Sequence, residues 1–264
     1  MVRAQPSLAT SVLWAYWDLC HTLRALWRQA LIAFAILAIG FLLAEIGPRL
    51  LARGGIGRVV DRQMCEIAVC FLLTPFVMAV HRYVLLGEVK PHYLIDPANA
   101  RFRLMFGWLA TMSVLSNIPS FLAALTAQSG AIYRVGLAST DAGPSLVVVI
   151  TFSVAILILQ RLIVLLPAIA LGAPGATWQN AFRDTQARLW FVLLASILPL
   201  VPLGLLGAAT SPLLWMAAAS YAGLFTAILW FGAALLVFVT LGAVIASRLY
   251  QTLGDSLNRA VSAV

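Results

Sequence analysis

Residues 146–171 constrain this chain more than any other stretch, because they are apolar except for two hydroxyl residues and the pair Gln160-Arg161. About 20 apolar residues at about 1.5 Å each cross a hydrocarbon core of about 30 Å, so this stretch is long enough to span a bilayer. An arginine near the centre of such a helix opposes insertion by about 2.5–3.5 kcal/mol, whereas each Leu, Ile, Val or Phe favours it by about 0.3–0.6 kcal/mol. The stretch therefore predicts a membrane-spanning helix whose Arg161 faces protein or water rather than lipid.

The overall composition excludes a water-soluble fold of this size. Hydrophobic residues make up 62% of the chain and charged residues 10%, whereas soluble domains have about 45–50% and about 25%. The net charge of +8 comes from basic residues, of which only Lys90 is a lysine, scattered between apolar stretches. This distribution is typical of loops beside anionic phospholipid headgroups, and it predicts a lipid bilayer rather than nucleic acid as the partner.

Hydropathy and amphipathic spacing predict the layout of the rest of the chain. Residues 7–29 and 177–188 are amphipathic and predict two interfacial helices, the first with Trp and Tyr rings that favour headgroup depth. The predicted transmembrane spans are residues 30–46, 64–86, 104–126, 146–171, 189–208 and 223–247. Residues 213–250 exceed one crossing, and we interpret the first ten or so as a surface segment, with a seventh crossing as the alternative. The sequence thus predicts an all-α integral membrane helix bundle of about six transmembrane spans with two interfacial amphipathic helices, in a single domain over residues 1–264.

The loop arginines predict the orientation of the chain in the membrane. With the amino terminus in the cytoplasm, ten basic residues lie on the cytoplasmic side and five on the opposite side, four of them in a predicted Gly-rich loop at residues 48–63. The positive-inside rule therefore favours cytoplasmic amino and carboxyl termini. We expect Glu45 and Glu66, which lie close to the arginines of that loop, to form local ion pairs rather than a proton relay.

Two short motifs resemble each other and a known group of proteins. Residues 80–86 and 159–165 each place an arginine after a polar residue near the cytoplasmic end of a predicted span, as in a parallel repeat of two spans. Residues 81–88 and 161–170, followed by Trp178 and Ala181, resemble an uncharacterised group of bacterial polytopic membrane proteins. Those proteins look like the membrane domain attached to some glycerophosphodiester phosphodiesterases. The resemblance implies an inner-membrane bundle of about six helices, without the chemistry of the phosphodiesterase domain, which this sequence does not contain.

His81, Arg82, Gln160 and Arg161 are the candidate site residues. In the predicted orientation all four lie toward the cytoplasmic leaflet, where a cationic pocket between the second and fourth spans suits a phosphate or an anionic lipid headgroup. The alternative is a structural role, in which Arg82 extends to the interface and Arg161 bonds to neighbouring side chains or to carbonyls freed by prolines. Pro199 and Pro202, in the fifth predicted span, are typical either of the interrupted helices of transporters or of a kinked packing helix.

No catalytic, cofactor-binding or metal-binding motif accompanies these residues. The chain contains no H-E-x-x-H, G-x-S-x-G or P-loop sequence, its three histidines lie in separate elements, and its three cysteines show no CxxC spacing. We therefore expect neither enzymatic activity nor a cofactor. The sequence favours a non-catalytic multi-pass protein of the bacterial inner membrane that engages lipid or protein partners, including a second copy of itself. The alternative is a small transporter or channel with an anion or headgroup site near Arg82 and Arg161.

The predicted orientation can be tested by labelling single cysteines in a variant that lacks the native three. A cysteine placed between residues 128 and 145 is expected to react with an impermeant thiol reagent added to intact cells, because that loop lies outside. A cysteine at Gln251 is expected to be protected until the membrane is permeabilised. Labelling at Gln251 together with protection of the loop would show that the orientation is inverted.

Overall fold

The computed structural model describes residues 8–50, 55–129, 142–217 and 220–258. Its helices are α1 (Leu8–Ala25), α2 (Trp27–Leu50), α3 (Ile56–Leu86), α4 (Ala100–Ser129), α5 (Ala142–Leu162), α6 (Leu165–Leu171), α7 (Trp178–Gln186), α8 (Leu189–Ile197), α9 (Val201–Ala217), α10 (Tyr221–Leu253) and α11 (Asp255–Asn258). A 3₁₀ turn, Leu198–Leu200, joins α8 to α9. These residues include no strand, which confirms the predicted all-α class. Most of the predicted loop at residues 128–145 lies outside the described part of the chain.

Six helical stretches are long and apolar enough to cross a bilayer, which confirms the predicted number of spans. They are Trp27–Glu45, Ile56–Leu86, Ala100–Leu125, Val148–Leu171, Leu189–Leu213 and Tyr221–Leu253. The chain is thus a multi-pass membrane protein whose spans satisfy their backbone hydrogen bonds internally, as the hydrocarbon core requires.

The predicted Gly-rich loop at residues 48–63 is wrong over most of its length. α2 continues to Leu50, and α3 begins at Ile56, ten residues of helix before the charged Glu66. At about 1.5 Å per residue α3 is about 46 Å long, which exceeds the hydrocarbon thickness of about 30 Å. Its first turns, with Arg58 and Arg62, therefore extend beyond the apolar stretch, and hydropathy alone does not detect them.

Residues 146–171, predicted as one helix, are interrupted. α5 ends at Leu162 and α6 begins at Leu165. Pro167 has no N–H to donate to the carbonyl of Ile163, and its ring crowds that carbonyl, so the helix breaks four residues before the proline. Residues 165–170 are all buried, so the break lies within the protein.

The last two spans also differ from the prediction. Pro199 interrupts the fifth span at the 3₁₀ turn, and α9 then continues to Ala217, well past the predicted end at residue 208. Residues 213–217 therefore belong to α9. The candidate spans end at Leu213 and begin again at Tyr221, so the described residues between them, predicted as a surface segment, lie in neither span. α10 is one unbroken helix and one candidate span, and the alternative of a seventh crossing is not realised in the described residues.

α10, α3 and α6 form the centre of the bundle. α10 packs chiefly against α1, α2, α3 and α9, and α3 packs against α2, α4 and α6. The interior contacts include Leu241 and Val244 of α10, Phe76 of α3 and Ile169 of α6, each with at most 1% of its surface exposed. Charged groups are therefore left at the ends of the helices, where the candidate site lies.

α1 has one face anchored in the bundle and one face directed outward. The Asp18 carboxylate accepts a hydrogen bond from the Arg248 Nε of α10 at 2.6 Å, and the Tyr16 hydroxyl donates to the Pro199 carbonyl at 2.5 Å. Burial raises the pKa of the Tyr16 phenol. Trp14 and Trp17, on the outward face, are 52% and 67% exposed. This arrangement suits an interfacial helix, although its depth in the bilayer stays a prediction.

α7 is amphipathic, as predicted, and it anchors the carboxyl-terminal segment. Its Thr177 cap accepts the Asn180 N–H, and its Asp184 carboxylate accepts the N–H groups of Ser256 and Leu257 at 3.0–3.1 Å. A carboxylate at the first turn of α11 stabilises that helix end, because the N–H groups there lack helical partners.

Two glycines of α10 test the packing of α2 against it. A Cβ atom added at Gly232 would lie 3.0 Å from the Ala38 Cβ and 3.2 Å from its Cα, whereas one at Gly242 would meet nothing within 4 Å. Gly232→Leu is therefore expected to destabilise the protein by about 1–3 kcal/mol through overpacking, and Gly242→Leu by less than about 0.5 kcal/mol. Thermal unfolding in one detergent measures both. Equal melting temperatures for the two variants would contradict this close approach.

Candidate functional site

The predicted site residue His81 is sealed inside the bundle. Its Nδ1 lies 2.8 Å from the Ser247 Oγ of α10, and none of its surface is exposed. The Ser247 hydroxyl donates its one proton to the Ala243 carbonyl at 2.9 Å, so it accepts from His81, which is the Nδ1–H tautomer. His81 Nε2 has no hydrogen-bond partner among the described residues. His81 therefore joins α3 to α10 rather than lining a surface pocket.

Arg82, the next residue, points to the protein surface and is fixed there by three hydrogen bonds. Its Nε and Nη2 donate to the Glu88 Oε2 at 2.9 and 2.6 Å, and its Nη1 donates to the Ala170 carbonyl at 3.1 Å. Ala170 lies in the last turn of α6, whose carbonyls lack helical donors and attract a cation. The guanidinium thus ties α3 to the end of α6 and to the loop that follows α3.

Gln160 and Arg161 have other surroundings. They lie on α5, which packs chiefly against α4, α7 and α8. The Arg161 guanidinium lies over the Phe182 ring of α7, 5.3 Å from its centroid, so it faces protein at least in part. The Gln160 side-chain oxygen is buried without a partner among the described residues. The structure therefore gives Arg82 and Arg161 different partners, and no contact joins the four predicted residues into one pocket.

Residues 87–99, between α3 and α4, fold back along α3. The Gln29 amide of α2 donates to the Lys90 carbonyl at 2.5 Å, and the Tyr93 hydroxyl donates to the Leu72 carbonyl at 2.5 Å. Leu72 lies about 21 Å before the end of α3 at about 1.5 Å per residue. It also adjoins Phe71, whose carbonyl loses its helical donor to Pro75. Burial raises the pKa of the Tyr93 phenol well above its ordinary value.

The folded-back loop closes a cavity of about 150 Å³ against α3 and the start of α4. We call it the α3–α4 cavity. Its floor is apolar and includes Pro75, Met78, Ala79 and Phe102, and its rim carries Arg82, Glu88, Lys90, His92, Asp96 and Asn99. Arg82 is thus the one predicted site residue that lines this cavity.

The charges on the rim fall into two groups. Arg82 and Glu88 neutralise each other, with 19% and 43% of their side chains exposed. Lys90 and Asp96 are both among the residues that line the cavity, and neither forms an ion pair with a described residue. The rim therefore balances two cationic and two acidic side chains, of which Lys90 and Asp96 form no ion pair with a described residue.

A second polar cluster lies toward the other end of α3. The Glu66 carboxylate accepts hydrogen bonds from Arg62 Nε at 3.2 Å, from Ser113 Oγ at 3.1 Å and from Asn117 Nδ2 of α4. Arg62 also lies 3.9 Å from the Glu45 carboxylate of α2, which confirms local ion pairing for both acids. Each Glu66 oxygen accepts at least one hydrogen bond, so the cluster joins α3 to α4.

Sequence reasoning missed Lys90, Tyr93 and Asp96 as members of the site. Their only signal in the sequence is a segment with several polar residues at positions 87–99 that carries a single tyrosine, and that signal does not indicate which helix the segment covers. Among the described residues, no group of three His, Cys, Asp or Glu side chains could hold a metal ion.

Comparison of the chain with protein-family models, with curated proteins and with solved structures finds no match. The resemblance of the two arginine motifs to a group of bacterial membrane proteins therefore stays a prediction. The chemistry of the site rests on its own side chains.

Tyr93→Phe tests whether the loop is anchored on α3. Loss of the hydroxyl is expected to lower stability by about 1 kcal/mol at neutral pH. Burial raises the pKa of the Tyr93 phenol, so the folded protein keeps the phenol proton at pH values above about 10. The unfolded chain loses that proton near a pH of about 10. The stability of the wild type is therefore expected to fall as the pH rises past about 10. The variant is expected to lack this part of the alkaline loss. Thermal unfolding at pH 8 and 10.5 measures both effects.

Tyr221→Phe is the matched control, because Tyr221 is 95% exposed. Its melting temperature is expected to equal that of the wild type at pH 8. If Tyr93→Phe also behaves as the wild type at both pH values, the loop is not held by this hydroxyl.

Proposed function

We propose that this chain is a non-catalytic multi-pass protein of the bacterial inner membrane that binds a phospholipid headgroup in the α3–α4 cavity. The observation that carries the proposal is the combination of an apolar floor with a rim of fixed and unpaired charges. A phospholipid has the same division, since its phosphate is charged and its glycerol and acyl chains are not.

The phosphate end of a headgroup is matched by Arg82 and Lys90. The Arg82 guanidinium is held in place by Glu88 and Ala170, so binding costs little side-chain entropy. Lys90 supplies an ammonium without an ion pair in the described part of the chain, and hydrogen bonds from charged donors to phosphate are about twice as strong as neutral ones. Arg82 thereby keeps a role in headgroup binding, now beside Lys90 instead of Arg161.

The location of the cavity along the helices supports a lipid ligand. The cavity includes Gln29 in the first turn of α2, directly after α1 and its outward Trp14 and Trp17. Tryptophan rings favour the depth of the headgroups, so the rim is expected to lie near the same level. The apolar floor, at Pro75 and Met78, then continues toward the hydrocarbon region.

The orientation proposed from the loop arginines puts this rim on the cytoplasmic side, together with both termini. The bacterial inner membrane is proposed on the resemblance of residues 81–88 and 161–170 to bacterial polytopic membrane proteins. Surface arginines on α1 and α7 are proposed to attract anionic phospholipids as well, with about 1 kcal/mol from each basic residue near the membrane.

A small transporter is the second candidate, and one observation favours it. Two spans are interrupted, between α5 and α6 and at the turn between α8 and α9, as in transporters that bind substrates at broken helices. A transporter would need a water-accessible route to Arg161. The ring of Phe182 covers that guanidinium on one side, so the α3–α4 cavity is the better supported site.

Lys90→Gln tests the proposal, because Lys90 is exposed and its loss removes one charge without breaking an ion pair. The variant is expected to bind phosphatidylethanolamine at least about tenfold more weakly than the wild type, since one charge-assisted hydrogen bond contributes about 1.5–3 kcal/mol. Native mass spectrometry of the detergent-solubilised protein, titrated with that lipid, measures the change.

Arg24→Gln is the matched control, because it removes one charge from an exposed position of α1 that is not among the residues lining the cavity. It is expected to leave binding within about twofold of the wild type. Equal binding by the wild type, Lys90→Gln and Arg24→Gln would remove the case for a headgroup in this cavity.

A further inference from the structure

We infer that the α3–α4 cavity selects a zwitterionic phosphoethanolamine headgroup, with the phosphate at Arg82 and Lys90 and the ammonium at Asp96 and Glu88. This inference rests on the proposed headgroup site and adds the class of lipid that it takes. It differs from the expectation of an anionic headgroup that the arginine-rich sequence suggests.

The charges of the rim carry the inference. Glu88 and Asp96 supply two carboxylates within a cavity that has Arg82 and Lys90 as its basic residues. A purely anionic headgroup would be attracted by Lys90 but would bring a like charge toward Asp96, which forms no ion pair with a described residue. A headgroup with both signs satisfies Lys90 and Asp96 at once, and complementary charges determine specificity more than affinity.

The chemistry of the ammonium separates ethanolamine from choline. A primary ammonium has three N–H donors, as in lysine, and can hydrogen-bond the Asp96 and Glu88 carboxylates directly. A quaternary ammonium has no N–H group and is recognised by cages of aromatic faces. Phe102 is the only aromatic ring among the floor residues named above, and Asn99 and His92 on the rim are polar. The rim therefore favours a primary ammonium, which can donate hydrogen bonds, over a quaternary ammonium, which cannot.

The size of the cavity sets a further limit. A volume of about 150 Å³ is small beside the roughly 300–1,000 Å³ of pockets that bind drug-sized ligands. It admits a small headgroup, and it leaves the acyl chains outside, along the apolar side of α3 and α4. A lipid is the expected occupant rather than free phosphoethanolamine, because the floor of Pro75, Met78 and Ala79 offers a soluble zwitterion no polar partner.

The test compares three phospholipids with identical acyl chains: phosphatidylethanolamine, phosphatidylcholine and phosphatidylglycerol. Binding to the detergent-solubilised full chain is measured by native mass spectrometry, and thermal unfolding is measured in parallel at 0.1 M and 1 M salt. The wild type is expected to bind the ethanolamine lipid about tenfold more tightly than the other two. At 1 M salt the Debye length is about 3 Å, so any advantage of the anionic lipid from surface arginines is expected to vanish while the ethanolamine preference remains.

Asp96→Asn is expected to remove the preference for phosphatidylethanolamine over phosphatidylcholine. It is expected to leave the binding of phosphatidylglycerol unchanged or tighter. Asp96→Glu keeps the charge and is expected to retain the preference. Asp255→Asn, at an exposed position of α11, is the matched control and is expected to behave as the wild type. Unchanged melting temperatures without added lipid show that each variant folds, so a lost preference reflects the site.

The outcomes separate this inference from the proposed function. If Lys90→Gln weakens binding of all three lipids equally and Asp96→Asn changes nothing, the headgroup site stands and the ethanolamine selectivity is wrong. If phosphatidylglycerol binds most tightly of the three lipids at 1 M salt, the proposed selectivity for ethanolamine is likewise wrong. If free phosphoethanolamine binds as tightly as the lipid, the occupant is a soluble zwitterion and the lipid assignment is overturned. If no lipid responds to Lys90→Gln, both proposals fail.

Discussion

The hydrogen bonds of the Arg82 guanidinium connect the parts of the structure on which the candidate site depends. A guanidinium near the hydrocarbon region is unfavourable unless its donors are satisfied by protein or water. Here the Ala170 carbonyl and the Glu88 carboxylate accept three of its N–H groups. The first acceptor exists because α6 ends there, and the second because the chain turns back after Gly87, whose positive φ of 69° favours glycine. Arg82 therefore links α3, the end of α6 and the start of the loop that closes the α3–α4 cavity.

α3 carries a polar cluster toward each of its ends, and the two clusters differ in whether a charged group is left without an ion pair. At the Glu66 end, donors from Arg62, Ser113 and Asn117 use the carboxylate fully, so the cluster joins α3 to α4. At the Arg82 end, the ion pair with Glu88 is complete, but Lys90 beside it has no ion pair in the described residues. A polar network whose groups bond to one another joins helices, whereas unpaired charges at a cavity rim can recognise a ligand.

The chain as a whole is strongly basic, with a net charge of +8, and yet the α3–α4 cavity is balanced in charge. These two facts act at different ranges. Exposed arginines act through the solvent and are screened by salt, so they favour any anionic membrane surface. The cavity acts at hydrogen-bond distance, where the geometry of donors and acceptors decides which headgroup fits. Net charge is thus a poor guide to the chemistry of this site.

The sequence by itself determined the class, the all-α fold and the six spans, because insertion into hydrocarbon depends on the summed hydropathy of local stretches. The sequence also contains the cause of the helix break before Pro167, because the missing N–H of a proline is a local property. Hydropathy alone, however, predicted a continuous helix there. Only the tertiary structure decided which helices meet. In the tertiary structure Arg82 donates to the Ala170 carbonyl and Arg161 lies over the Phe182 ring, although both arginines occur in similar local motifs. The tertiary structure also folded Tyr93 back to Leu72, because the partners of a loop depend on packing between helices that are distant in sequence.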